Sequence, residues 1–274
     1  MNCPICGNDS FNNIFQYTEP PAIETKYPAL KDVTYYRETW QCKKCLHFSA
    51  VQEMDLSDIY SGDYVSATYK DKEGVQSTFN SIINLPPEKS DNIGRVARIN
   101  EFAKKYWGGV ENKTVLDIGS GLGVFPYLMK KNGWQVTALD PDQRAAEHIN
   151  DSVQVETICG DFFEADTNRK YDLVTFNKVL EHVKDPIAML SKSKDNLAES
   201  GFVYVEVPDG DIAALDGKER EEFTIDHLYI FSFISLAITA EKAGFYPVLI
   251  ERLKEPSTKY TLRAFLKKKV NISV

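Results

Sequence analysis

The sequence predicts an α/β fold, a mostly parallel sheet with helices on both faces, carrying a small N-terminal module. Three observations predict it. The apolar run Thr114-Val115-Leu116-Asp117-Ile118 leads into a glycine-rich turn and then a helix. From there strand-like and helix-like segments alternate, the pattern of a parallel sheet covered on both sides. Ahead of that region stand two Cys-x-x-Cys pairs, Cys3/Cys6 and Cys42/Cys45, a spacing that belongs to a metal-held module.

Residues 1–55 read as that module. Each cysteine pair can place two thiolates on one tetrahedral ion, so Cys3, Cys6, Cys42 and Cys45 together predict a zinc site. Four thiolates leave no open position, which makes the zinc structural. Disulfides are disfavoured in a reducing compartment, and Cys159 stands alone and reads as core. Residues 34–41 alternate in β-prone types and feed the second pair as a strand.

Residues 56–112 read as a connecting and substrate-capping segment. It is first aromatic and turn-rich, with Tyr60, Gly62, Asp63, Tyr64 and Tyr69, and it breaks at Pro86-Pro87. A helix follows from a cap at Asp91 or Asn92, through Val96, Ile99, Phe102, Ala103 and Tyr106, to Gly108-Gly109.

Residues 113–274 read as the main α/β domain. Strands are expected at 114–118, 135–139, 154–158, 172–176 and 202–207. One helix follows the first strand as far as Lys131, and another covers 142–150. A third starts with Asp185 as cap and Pro186 in the first turn and runs past Leu190 to Leu197, closed by Gly201. The segment from Asp209 to Phe231 is long for a compact domain, and such connections are usually functional. Its charged stretch, 218–222, reads as a solvated helix face. Ser232 caps a helix that Gly244 ends, and strands at 246–252 and 259–266 pair antiparallel.

Composition narrows the function. A chain of 274 residues with 43% hydrophobic content can bury a sizeable core. A net charge of −8 argues against wholesale attraction to nucleic acid or to an anionic membrane. The most apolar window, 228–240, is too short to span a bilayer. The N-terminus lacks a basic-then-apolar signal, so a cytoplasmic location is expected.

The glycine turn discriminates between ligands. Its glycines are Gly119, Gly121 and Gly123, whereas a dinucleotide fingerprint needs its third glycine where Val124 stands. Asp117, at the strand end, would face the pyrophosphate of NAD unfavourably. It suits the ammonium and sulfonium of S-adenosylmethionine. On these residues the chain resembles the class I S-adenosylmethionine-dependent methyltransferases, whose first motif looks like Val115 to Gly123. The resemblance implies a Rossmann-like sheet of seven strands, mostly parallel, with the last one reversed.

In open α/β sheets the ligand lies beyond the carboxyl ends of the strands. With the resemblance, those ends imply cofactor contacts. Asp140 would accept the ribose hydroxyls, Asp161 the adenine amino group, and Phe162 would pack on the ring. Asn177, with Lys178-Val179-Leu180-Glu181-His182 after it, would pass below the methionine part. The stretch Leu180-Glu181-His182-Val183, followed by Asp185-Pro186, is similar to the ubiquinone-biosynthesis type of methyltransferase.

The acceptor clues lie elsewhere. Asp226-His227-Leu228-Tyr229-Ile230-Phe231-Ser232 resembles the acidic-His-x-x-x-Phe-Ser motif of the sugar C-methyltransferases. Those enzymes also begin with a two-pair cysteine module and carry a tyrosine-rich stretch that Gly62-Asp63-Tyr64 resembles. The resemblance implies His227 as general base, with Asp226 and Tyr64 in the same pocket, and a small polar acceptor of the sugar or nucleotide-sugar type. Two departures stand against it. The sugar enzymes continue with a second α/β domain, and Asp226 replaces the usual glutamate. The alternative is an O-methyltransferase of a quinone-like or other small metabolite. A third reading is an RNA methyltransferase or RNA-binding module gripping through the knuckles, which the negative charge and the lone Lys43-Lys44 pair disfavour.

Overall fold

The computed structural model describes residues 1–27, 30, 33–54, 72–165 and 167–269. In chain order the first elements are strands β1 (Phe11–Tyr17), β2 (Arg37–Cys42) and β3 (Phe48–Gln52) and helices α1 (Lys72–Ile83) and α2 (Asp91–Trp107). The alternating part follows with β4 (Thr114–Ile118), α3 (Val124–Lys131), β5 (Gln135–Asp140), α4 (Gln143–His148), β6 (Glu156–Cys159), β7 (Tyr171–Asn177) and α5 (Pro186–Lys192). It closes with β8 (Leu197–Pro208), α6 (Gly210–Asp216), β9 (Tyr229–Ile230), α7 (Phe233–Lys242), β10 (Phe245–Lys254) and β11 (Tyr260–Lys268).

The main sheet has seven strands in the order β10-β11-β8-β7-β4-β5-β6. Strands β4 to β8 pair parallel, while β11 runs antiparallel to both β8 and β10. This is the expected seven-stranded sheet with its last strand reversed. Its central strands are buried on both faces, with Val115, Leu116, Val174, Phe176, Val203 and Val205 all in the core. That explains why they read as unbroken apolar runs rather than as alternating ones.

Helix α2 packs one face of this sheet. Val96, Ile99, Phe102 and Ala103 meet Val115, Phe202 and Phe265, and Phe102 stacks on Phe265 with ring centroids 3.8 Å apart. Its cap is Ser90, whose hydroxyl accepts from the Ile93 amide at 3.3 Å, one residue before the expected Asp91 or Asn92. Gly108 ends it in the left-handed region at φ 79°.

Three expected features are corrected. Cys159, expected in the core, ends β6 with its side chain exposed. The helix after Asp185 stops at Lys192 and passes through a short 3-10 turn, and Leu197 already belongs to β8. Gly201 is therefore no helix terminator. A Cβ there would lie 2.9 Å from the Asp172 carbonyl, so glycine lets β8 approach β7 at its bulge. The charged stretch 218–222 is not a solvated helix face either. Arg220 pairs with Glu222, which is buried and accepts from the Tyr260 amide.

A second sheet, β1-β2-β3-β9, is antiparallel throughout. Its fourth strand comes from the long segment after β8, far along the chain. Phe48 pairs with Ile230 and Ser49 with Tyr229. Gly210 sits against this sheet, where a Cβ would meet the Phe48 ring at 2.6 Å. The N-terminal region is thus bound by a backbone ladder to the segment that carries Asp226 and His227.

Candidate functional site

A cavity of about 490 Å³ opens at the carboxyl ends of β4, β5, β6 and β7. Its walls include Gly119, Gly121, Asp140, Asp161, Phe162 and Asn177, six of the eight residues expected there from the sequence. Val75, Leu122, Lys178, Val179, His182 and Val183 line it as well. The parallel register forms this opening, because each strand ends level with its neighbours and hands its next residue to the same rim.

The glycine turn is shaped by need. Gly119 adopts φ 70°, and a Cβ there would strike the Val179 side chain at 2.7 Å. The turn brings the Gly121 amide to Asp140, whose Oδ2 accepts from it at 2.7 Å, while Oδ1 accepts from the Asp142 amide at 2.9 Å. Burial pushes the Asp140 carboxyl up, and those two amides pull it back in part. A carboxylate has about four lone-pair sites, so acceptor capacity remains towards the cavity.

The other two expected residues, Asp117 and Gly123, do not line the cavity. Asp117 is buried and accepts from Thr175 Oγ1 at 2.6 Å and Asn177 Nδ2 at 2.8 Å. Burial pushes it up to about 6 against those hydrogen bonds. Its contacts fix the Asn177 amide at the cavity wall. Gly123 caps α3 at φ 72°, and a Cβ there would meet Ile149 at 2.8 Å, so it serves packing. Asp161 accepts from the Phe163 amide at 2.7 Å, and Phe162 is buried edge-on to Phe176.

Asp226 and His227 form a second group that His182 joins to the cavity. The His182 and His227 rings lie 4.9 Å apart. Asp226 Oδ2 is 3.9 Å from His182 Nδ1 and 3.8 Å from His227 Nε2. Burial lowers His227 below the usual histidine range, and Asp226 opposes that shift only in part. Burial pushes Asp226 up, but the two imidazoles together with hydrogen bonds from Thr224 and the backbone offset it and leave it low. Tyr64, expected in the same pocket, lies outside the described residues.

Lys178 and His182 belong to the stretch expected below the methionine part, and both line the cavity. Lys178 adopts φ 59°, unusual for a residue with a side chain, and its Nζ donates to Thr261 Oγ1 at 2.6 Å. Its place directly after Asn177 at a strand end was the available signal.

The four cysteines of the N-terminal knuckles converge. Cys3 Sγ lies 3.5 Å from Cys45 Sγ, and Cys6 Sγ 3.5 Å from Cys42 Sγ. All four sulfurs fall within 4.8 Å of one another. A tetrahedral zinc with Zn–S near 2.3 Å needs sulfurs roughly 3.8 Å apart, so the set fits such an ion. The hydrogen bond between Cys45 and Cys3 pulls Cys3 down and pushes Cys45 up, as two thiols sharing one proton do. Among the described residues no helix is long and apolar enough to cross a membrane.

Comparison with known proteins agrees with this geometry. The family described as "Methyltransferase domain" matches residues 91–250, more than half of the chain. A ubiquinone biosynthesis O-methyltransferase of Shewanella halifaxensis is 31% identical over 168 residues, 59% of this chain and 66% of the relative. One from Hydrogenovibrio crunogenus is 30% identical over 139 residues, 47% of this chain and 57% of the relative. The matches thus span less than two thirds of these relatives' own lengths. Among solved structures, the Burkholderia thailandensis 1,6-didemethyltoxoflavin-N1-methyltransferase with bound S-adenosylhomocysteine superposes at a TM-score of 0.59 and 19% identity. That superposition covers 92% of this chain and all of that one. The magnesium protoporphyrin IX methyltransferase of Synechocystis PCC 6803 gives 0.60 at 13% identity, covering 78% and 100%. At such identities the structures speak for the fold. With the family match spanning the glycine turn and most of the cavity wall, the chain belongs to the methyltransferase-domain family and has the fold of these S-adenosylhomocysteine-bound methyltransferases.

Proposed function

We propose that this enzyme methylates an oxygen of a small acceptor, in the manner of a quinone-like O-methyltransferase. The observation that carries this reading is the likeness to ubiquinone biosynthesis O-methyltransferases across the cofactor domain. Gly119, Gly121, Asp140, Asp161, Phe162 and Asn177 hold the cofactor, and its sulfonium supplies the methyl electrophile when bound. The chain must then orient the acceptor and take its proton. His227 is the base, and Asp226 steadies the imidazolium that forms. Its Nδ1 lies 2.8 Å from the Glu222 carbonyl, so that nitrogen carries the proton and Nε2 receives the new one. Zinc on Cys3, Cys6, Cys42 and Cys45 has a structural role.

His227→Ala should lower turnover by about 10²–10⁴ while leaving cofactor affinity nearly unchanged. Because burial lowers His227, the acid limb of the wild-type rate profile should fall below the ordinary histidine range and vanish in the variant. Normal turnover by the variant would refute this role. A second reading, transfer to a sugar or nucleotide-sugar, is favoured by the Asp226-His227 segment pairing with the cysteine-held sheet. Mass-spectrometric comparison of catechol-type and nucleotide-sugar acceptors decides between the two.

A further inference from the structure

Glu181, His182 and His227 bring one carboxylate oxygen and two imidazole nitrogens within 4.8 Å of one another. Glu181 is fully buried, and neither of its carboxylate oxygens has a hydrogen-bond partner among the described residues. A buried carboxylate left unsatisfied is costly, and a native structure that keeps one calls for a partner beyond the protein's own atoms. The two imidazoles are set alike. His182 Nδ1 lies 2.8 Å from the Asp226 carbonyl and His227 Nδ1 2.8 Å from the Glu222 carbonyl. A carbonyl only accepts, so each Nδ1 carries a proton and each Nε2 a lone pair. Metal-ligating histidines are oriented in this way, with the second nitrogen anchored on a backbone carbonyl or a carboxylate.

The backbone holds the set together. The Leu228 and Tyr229 amides both donate to the Glu181 carbonyl, at 2.9 and 3.2 Å. The loop bearing His227 is therefore tied to the one bearing Glu181 and His182. Asp226 adds a further carboxylate at the edge, 3.8 Å from His227 Nε2.

We propose that Glu181, His182 and His227 form a binding site for a divalent transition-metal ion, distinct from the cysteine cluster. Two imidazoles and a carboxylate suit zinc, manganese, cobalt or nickel better than magnesium, which prefers oxygen ligands and its own waters. Three protein ligands leave positions open for an acceptor oxygen. This rests on the reading of the chain as a methyltransferase with an oxygen acceptor, and it deepens that reading. A bound ion would make the acceptor hydroxyl more acidic, and its proton would pass to solvent water. The oxygen then takes the methyl group, the sulfur–methyl bond breaks, and its electron pair stays on the thioether sulfur. With Nε2 of His227 taken up as a ligand, the ion would replace the role of His227 as base rather than add to it.

The test is metal stoichiometry on the full zinc-loaded chain. The protein is dialysed separately against zinc, cobalt and manganese and counted by elemental analysis. Wild-type protein should hold about two ions per chain, and Glu181→Gln with His227→Asn about one, with S-adenosylhomocysteine binding retained as the check on folding. Cys42→Ser with Cys45→Ser should lose the other ion instead. In cobalt-loaded protein the ion lost from the Glu181 variant should show only nitrogen and oxygen ligation, without a thiolate charge-transfer band. About one ion per wild-type chain with all three metals overturns the proposal, as does a second ion retained by the double variant. Methyl transfer by protein holding only the cysteine-bound ion would overturn the metal site and leave the methyltransferase reading intact. Two ions with no transfer to any oxygen acceptor would do the reverse.

Discussion

At the scale of single residues, Asp140 carries the sharpest expectation. Its two oxygens already take the Gly121 and Asp142 amides, which fixes the carboxylate at the cavity rim before any ligand arrives. Asp140→Ala should therefore weaken S-adenosylhomocysteine binding by about 1.5–3 kcal/mol, the scale of hydrogen bonds to a charged group. Calorimetry showing unchanged affinity would contradict it. That Asp140, Asp161, Phe162 and Asn177 line the cavity was legible in the sequence, because a strand end delivers its next residue to the rim of the sheet. Asp117 and Gly123 obey the same local rule and yet face inwards. Nothing in the sequence distinguishes a carboxylate aimed at a ligand from one that holds a neighbouring asparagine in place.

At the scale of elements, the joint between the β2–β3 turn and helix α7 is built on buried polar groups. Ser232 caps α7, accepts from the Ser235 amide and donates to the Cys45 carbonyl at 2.6 Å. His47 is buried against Phe231, with Nδ1 3.2 Å from Ser235 Oγ, and burial alone drops its pKa to about 3. In the unfolded chain a histidine titrates near 6.5. Between those values the unfolded state binds the extra proton, so stability falls as pH drops from about 6.5 towards 3. The slope from this one group approaches 1.4 kcal/mol per pH unit. Thermal melts in that window should show the loss, and His47→Gln should flatten it; equal slopes for both proteins would contradict the assignment. The sequence showed the caps of α7 and α5, since Ser232 and Asp185 act within a few residues. It did not show where α5 gives way to β8, because the close approach of Gly201 to Asp172 is decided by a distant strand.

At the scale of the whole molecule, the seven-stranded sheet was legible because hydrophobic period and glycine turns repeat at every β-α unit. The joining of the N-terminal sheet to the segment after β8 was not, since the two-residue strand Tyr229–Ile230 has no periodicity to detect. That joint changes what zinc removal should do. Stripping the metal should loosen β1 to β3 and, through β9, the loop with Asp226 and His227, while the cavity around Asp140 stays formed. Methyl transfer should fall at unchanged S-adenosylhomocysteine affinity. Full turnover in metal-free protein would sink this expectation. The same pairing has a bearing on synthesis at the ribosome. Strand β3 is made early, but its hydrogen-bonding edge at Phe48 and Ser49 must wait for Tyr229 and Ile230 to emerge some 180 residues later. Until then the nascent chain carries an open strand edge, the feature that invites pairing with neighbouring chains. Slow or interrupted translation past the cofactor domain should expose this protein to aggregation more than damage to the finished fold would.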